Sequence, residues 1–228
     1  MPVLDTLIYW RDKHARTGFE NMAVDQLLLE RLGDHPVLRV YHWSEPTVSF
    51  GYFLALKDAQ SAFPSSGSCP LTYVRRWTGG GIVDHRIDVT YTLAIPRGHA
   101  LSAARGAESY RVIHQALEST LKQLHEPVRL TAVDGGDGGL ACFTNPVAYD
   151  LINHQGEKIA GAGQRRTRYG LLHQGSLITQ VEPDALGRGL AQCLARQTDD
   201  FLPDPSFDED TKVLASERYA SDAWLAQK

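Results

Sequence analysis

The residues best suited to chemistry lie between Tyr73 and His85, in the stretch YVRRWTGGGIVDH. Arg75 and Arg76 close a strand-like run, Thr78 follows Trp77, and Gly79, Gly80 and Gly81 then leave the backbone bare. Three successive glycines carry an entropic cost that a plain connection has no reason to incur. They make sense where a ligand must come close to the main chain and meet amide donors. A hairpin turn is the commoner fate of glycine pairs. Arginines on one side and His85 on the other favour a binding loop.

A second informative stretch runs from Cys142 to Gln174. Lys158 stands in EKIAGAGQRR among the small residues Ala160, Gly161, Ala162 and Gly163. A lysine beside such bare backbone can reach into a cavity and hold an anionic or carbonyl oxygen; the alternative is a lysine facing solvent from a strand. Arg165, Arg166 and Arg168 read equally well as a solvated basic edge or as holders of an acidic partner or phosphate. Cys142, between Ala141 and Phe143, is a candidate nucleophile. Its thiol would need a pKa lowered from about 8.5 by positive neighbours, such as Lys158 or His85. The other reading is a small buried hydrophobe, the usual fate of an unpaired cysteine. Cys69 beside Pro70, and Cys193 within a helix, have weaker claims.

The elements that must position these residues follow from periodicity. Residues 20–32 carry Val24, Leu27, Leu28 and Leu32 on one helical face, an amphipathic helix laid on a sheet. Strands are expected at 36–43 and 46–53, and a surface loop at the turn-rich 58–70. Further strands at 71–76 and 88–95 flank the glycine loop. It therefore joins strand to strand, unlike a P-loop or a dinucleotide fingerprint. Residues 107–124 form a helix whose stripe of Tyr110, Ile113, Leu117, Leu121 and Leu124 belongs to the core. The run DGGDGG (134–139) reads as a mobile joint, since it lacks the ligand spacing of a calcium loop. Strands follow at 149–154, 157–166 and 170–178. Pro183 opens a helix carrying Leu186, Leu190 and Leu194. The acidic residues from Asp199 to Asp210 read as a solvated loop, with a modest helix near 211–226.

Composition sets outer bounds. The chain has 228 residues, 43% hydrophobic and 22% charged, with a formal net charge of -4. These are values of a globular chain able to bury a core, and they give no support to a nucleic-acid binder. No apolar run has the length of a membrane span, and MPVLDTLIYWRDKH lacks the order of a signal peptide. Three scattered cysteines without a CxxC pair argue against disulfides and structural metal and for a reducing compartment, the cytoplasm. One domain over 1–228 is expected, with a core at about 20–196 and an acidic loop and helix at 197–228.

Four blocks together resemble the biotin/lipoate protein ligase catalytic-domain superfamily, in its lipoate–protein ligase A and octanoyltransferase branch. They are ENMAVD (20–25), WSEPTVSFGYF (43–53), RRWTGGGIVDH (75–85), and KIAGAGQRR with LLHQGSL (158–177). The resemblance implies an α/β fold with a mixed, largely antiparallel sheet flanked by helices. It implies that Arg75, Arg76, Thr78, Gly79, Gly80, Gly81, His85, Gly161 and His173 bind substrate, lipoate or octanoate, and that Lys158 contacts the acyl carbonyl or a phosphate oxygen. The acceptor would be a lysine on a lipoyl domain of a 2-oxoacid dehydrogenase or on the glycine cleavage H protein.

Two chemistries are implied. A transferase takes octanoate from acyl carrier protein through a cysteine acyl-enzyme and needs no cofactor. A ligase uses ATP and Mg²⁺ and passes through lipoyl-AMP. ACFTNP (141–146), DVTYTL (88–93) and ESYRVIHQAL (108–117) resemble the cysteine-bearing transferases. Tyr149-Asp150 stands where ligases carry Asn-Asp. Against this, Gly81 has the ligase form, and Leu54 replaces a glutamine common in the transferases. A non-catalytic acyl-binding module would dispense with Lys158, which is present. The glycine-arginine loop expected of a biotin ligase is missing.

Overall fold

The structure is a computed structural model and describes residues 2–132 and 146–227. Cys142 and the glycine-rich 134–139 lie outside the described residues. In chain order the elements are β1 (Leu4–Arg11), α1 (Gly18–Glu30), β2 (Val37–Tyr41), β3 (Thr47–Phe50), α2 (Leu56–Ala62), β4 (Thr72–Arg75), β5 (Ile82–Asp84) and β6 (Val89–Pro96). Next come α3 (Ala100–Ala103), α4 (Gly106–Gln123), β7 (Val128–Leu130), β8 (Leu151–Asn153), β9 (Lys158–Arg166) and β10 (Gly170–Leu177). α5 (Pro183–Leu194), β11 (Ala195–Asp200), α6 (Phe207–Leu214), a π-helical turn (Ala215–Tyr219) and α7 (Asp222–Leu225) complete the described chain.

Eight strands form one sheet in the order β11-β1-β2-β6-β10-β9-β8-β7, and three form a small sheet in the order β4-β3-β5. In the large sheet β1 runs parallel to β11 and to β2. The pairs from β2 through to β7 are antiparallel. The expected mixed, largely antiparallel sheet flanked by helices is therefore what forms. One face carries α4 and α5, with Ile113, Leu117, Leu121, Leu186 and Leu190 meeting Leu38, Leu93 and Leu171. On the other, Met22, Val24 and Leu28 of α1 pack with Val37, Ala94 and Leu172. Among the described residues no helix is long and apolar enough to cross a membrane.

Several expectations need correction. α1 is not amphipathic: Asn21 to Leu29 are all buried, because α6 and the π turn cover the side that faces away from the sheet. Its start is fixed by a capping box between Thr17 and Glu20. The proposed loop at 58–70 begins inside α2. The acidic run is not simply a solvated loop. Asp199 and Asp200 sit in β11 beside β1, and Asp208 and Asp210 pair with Arg16 and Arg31. The modest helix near 211–226 is three short pieces. Periodicity does not announce β1, β5, β7 or β11; each is short or charged and lacks strong alternation.

Between α1 and the sheet lies a closed polar cluster. Arg39, fully buried, donates to Asp12 Oδ2 at 2.7 and 3.0 Å, to Asp25 Oδ1 at 2.9 Å and to Asn21 Oδ1 at 2.7 Å. Asp25 Oδ2 in turn accepts from Tyr41, Thr92 and Gln174. Removing Asp25 leaves Arg39 with one carboxylate in place of two and leaves Tyr41, Thr92 and Gln174 without their buried acceptor. Asp25→Ala is therefore expected to lower the unfolding free energy by about 3–5 kcal/mol in urea titrations. A loss below about 1 kcal/mol would show that the cluster is dispensable.

Candidate functional site: a glycine loop over a bare strand

The loop after β4 turns back on itself and enters β5, and both strands pair with β3. The strand that follows the loop is thus β5; β6, the strand expected there, belongs to the other sheet. Gly80 has φ of +97°, a conformation that a side chain would strain. With no side chains, the loop is held from outside. Arg76 Nη2 donates to the carbonyls of Gly79 (3.2 Å) and Gly81 (2.7 Å). Thr78 Oγ1 donates to Gln174 Oε1 at 2.7 Å, and Gln174 Nε2 reaches Asp25 at 2.7 Å.

Beneath the loop is a narrow slot, with free room on the order of a single water molecule, walled by Gly80, Arg76, Ser49, His85, Gly161 and Gly163 among others. An open cleft of about 800 Å³ shares Gly80, Ala162 and Gly163 with it and adds Tyr110, Val147 and Gln164. Slot and cleft are thus neighbouring compartments bounded by the loop and β9. The mostly apolar lining of the slot suits a hydrocarbon chain.

Lys158 is only 7% exposed, which rules out the solvent-facing alternative. Its Nζ lies 2.7 Å from Asp150 Oδ2, and Asp150 also accepts from Tyr110 Oη at 2.5 Å and from the Val147 amide at 2.7 Å. Gly161 explains how the lysine gets there. A Cβ at that position would stand 2.7 Å from Lys158 Cε and 2.8 Å from Nζ. The amine therefore occupies the space that Gly161, which lines the slot, leaves without a side chain, while Lys158 itself lines neither slot nor cleft.

Behind this pair, His114 and His173 are buried and face each other edge to face at 5.5 Å. Burial pushes the His114 pKa down to about 4 and the His173 pKa well below its ordinary value, the latter helped by its histidine neighbour. Burial and the Asp150 carboxylate push the Tyr110 hydroxyl well up. It is thus a neutral donor to Asp150 that also accepts from the Ala162 amide. The cluster keeps β9 and α4 in register without adding charge beyond Asp150 and Lys158.

Of the residues singled out from sequence, Arg76, Gly79, Gly80, His85 and Gly161 border the slot or the cleft. Thr78 and Gly81 anchor the loop. Arg75 does not join them. Its guanidinium points to the opposite side and donates to the carbonyls of Tyr52, Leu54, Trp224, Leu225 and Gln227, so it fastens the C-terminal segment. His173 also faces away from the slot, bonded to Tyr91 and Gln164. Arg165 stacks on Tyr52 and Trp77, and Arg166 binds the turn before α4; Arg168 stays exposed. Cys69 and Cys193 line neither space.

Sequence reasoning passed over Ser49, Asp88, Asp150 and Gln174, and it assigned Tyr110 wholly to the core. The signal for Ser49 and Gln174 was present in TVSF and LLHQGSL. A polar residue inside an apolar strand run must find a buried partner.

Two outcomes follow. Gly161→Ala meets only the flexible end of Lys158 and the Asp150 carboxylate, so the fold is expected to persist. The displaced amine is expected to lower kcat/KM by roughly 10²-fold, measured beside the thermal midpoint. Normal turnover would separate Lys158 from the chemistry. The second concerns pH. The two histidines resist protonation when folded and accept it when unfolded, so stability is present above about pH 6.5 and is lost as pH falls toward 4. Each contributes up to about 1.4 kcal/mol per pH unit in that window. His114→Gln is expected to flatten the slope by one proton's worth in urea titrations. An unchanged slope would mean that His114 takes up its proton in the folded state.

Comparison with known proteins agrees with this geometry. The model of the lipoyl protein ligase A/B catalytic domain matches residues 17–203. The octanoyltransferase LipM of Kyrpidia tusciae is 33% identical over 190 residues, covering 78% of this chain and 68% of that protein. That of Carboxydothermus hydrogenoformans is 34% identical over 187 residues, covering 79% and 69%. In fold, the bi-partite lipoate protein ligase of Thermoplasma acidophilum superposes with a TM-score of 0.69 at 16% identity, covering 100% of this chain and 99% of that one. The chain belongs to the lipoyl protein ligase A/B catalytic-domain family.

Proposed function

We propose that this protein is an octanoyltransferase. It moves an octanoyl group from its thioester on acyl carrier protein to a lysine of a lipoyl domain, in a 2-oxoacid dehydrogenase or in the glycine cleavage H protein. The observation that carries the reading is the slot under Gly80, with Gly161 in its wall and the Lys158 amine packed against that glycine. The kinship with LipM octanoyltransferases supports the choice of acyl group. The whole described chain serves one catalytic unit, and its place is the cytoplasm.

The acyl tail occupies the slot, where each buried CH₂ contributes about 0.8 kcal/mol. Its carbonyl lies toward Lys158 and the loop amides. Cys142 precedes cleft-lining Val147 by five positions in the sequence. Its thiolate attacks the thioester carbonyl; the new C–S bond forms, the bond to the carrier sulfur breaks, and the carrier leaves as a thiol after taking a proton. One thioester replaces another, so ATP and Mg²⁺ are not needed. Lys158 and main-chain donors stabilise the oxyanion. The neutral amine of the acceptor lysine then attacks the acyl-enzyme, an amide forms, and Cys142 departs as thiolate while the amine loses its proton.

The test is to incubate the protein with octanoyl-acyl carrier protein and weigh it intact. An octanoyl adduct that is absent from Cys142→Ala is expected. No adduct in the native protein, together with ATP-dependent lipoylation that survives Cys142→Ala, would overturn the transferase in favour of a ligase.

A further inference from the structure

The loop's hold on its shape leads back through a chain of four side chains. Ser49 of β3 is fully buried. Arg76 Nη1 donates to its Oγ at 2.7 Å, and its Oγ lies 2.6 Å from His85 Nε2. His85 Nδ1 lies 2.8 Å from Asp88 Oδ2, which also accepts from Thr90 and Ser176. Trp43 stacks on the His85 ring at 4.0 Å and holds it in plane.

Arginine has hydrogens only to give, so Ser49 Oγ accepts from Arg76. His85 Nδ1, beside the Asp88 carboxylate, carries a ring hydrogen and donates it. Between Ser49 Oγ and His85 Nε2 either atom can supply the hydrogen. The order Ser–His–Asp is that of serine hydrolases. Here, however, a guanidinium occupies the hydroxyl oxygen, and the same guanidinium continues to the Gly79 and Gly81 carbonyls.

We propose that Asp88 and Ser49 are positioning residues for acyl transfer, acting through His85 and Arg76 to fix the glycine loop over β9. The inference rests on the reading of that loop as the roof of the acyl slot. Gly79 to Gly81 have no side chains with which to hold themselves. Main-chain bonds from Gly51 and Tyr52 secure only Gly81 and Thr78. Arg76 supplies the side-chain grip, and its aim depends on Ser49, whose own orientation depends on His85 and Asp88. A shift of about 1 Å at a group that shapes the reacting geometry is enough to cost about 10²-fold in rate.

The experiment uses Ser49→Ala, which removes one oxygen, Asp88→Asn, which keeps the volume, and the double variant. Amide hydrogen exchange at Gly79–Gly81 is measured without substrate, and transfer from octanoyl-acyl carrier protein to a lipoyl domain is followed in parallel. Exchange is expected to rise about tenfold in each single variant. The kcat is expected to fall roughly 10- to 100-fold while KM stays within about threefold. The double variant is expected to be no worse than the weaker single one, because both act through one chain.

Unchanged exchange at the loop, additive losses, or labelling of Ser49 by a fluorophosphonate would overturn the relay. If Asp88→Asn does not fold, exchange in Ser49→Ala alone decides. Should the native protein transfer no octanoyl group, the functional reading fails by itself and the exchange result still tests the relay.

Discussion

The structure depends on one close approach of main chain to main chain. The glycine loop lies against β9 at Gly163, where a Cβ would collide with the Gly79 carbonyl, and Gly80, Gly161 and Gly163 all border the slot without a side chain to fill it. Bare backbone gives a ligand access to amide donors, but it also removes every side chain that would ordinarily fix a loop. The surrounding molecule supplies that fixation. Arg76 grips the loop carbonyls, and Thr78 is tied to Gln174. Neither support can be lost without loosening Gly79 to Gly81; the Arg165 bond to the Trp77 carbonyl holds only the start of the loop.

Both supports run into buried polar clusters, which explains why so many charged residues lie inside a chain of ordinary composition. Gln174 leads to Asp25, Arg39 and Asp12; Arg76 leads to Ser49, His85 and Asp88. Lys158 is held separately by Asp150, which in turn accepts from Tyr110 of α4. Buried ion pairs are poor investments in stability compared with apolar packing. Here they specify directions, and direction is what a loop of glycines requires.

Much of this was legible in the residues themselves. The triple glycine, the small residues around Lys158 and the helical stripe of α4 each carry a physical signal strong enough to read directly. The two residues misplaced in the site share one cause. Successive strand side chains point to opposite faces, so the arginine pair splits: Arg76 turns to the loop and Arg75 to the C-terminal carbonyls. His173 and Gln174 split likewise, and it is the glutamine that reaches the site. Residue type could not decide between neighbours; strand register did. α1 was misread for a different reason, since nothing local announces that a C-terminal segment, with Tyr219 bonded to Gln26, returns to bury its outer side.

The central claim is spatial: the acyl chain lies between the glycine loop and β9. A crystal structure of the protein with octanoate bound tests it most directly. The carboxylate is expected near Lys158, with the hydrocarbon passing Gly80 and Gly163. Octanoate seated elsewhere, for instance in the surface groove of Leu32, Phe201 and Phe207, with the slot closed by side chains, would contradict it.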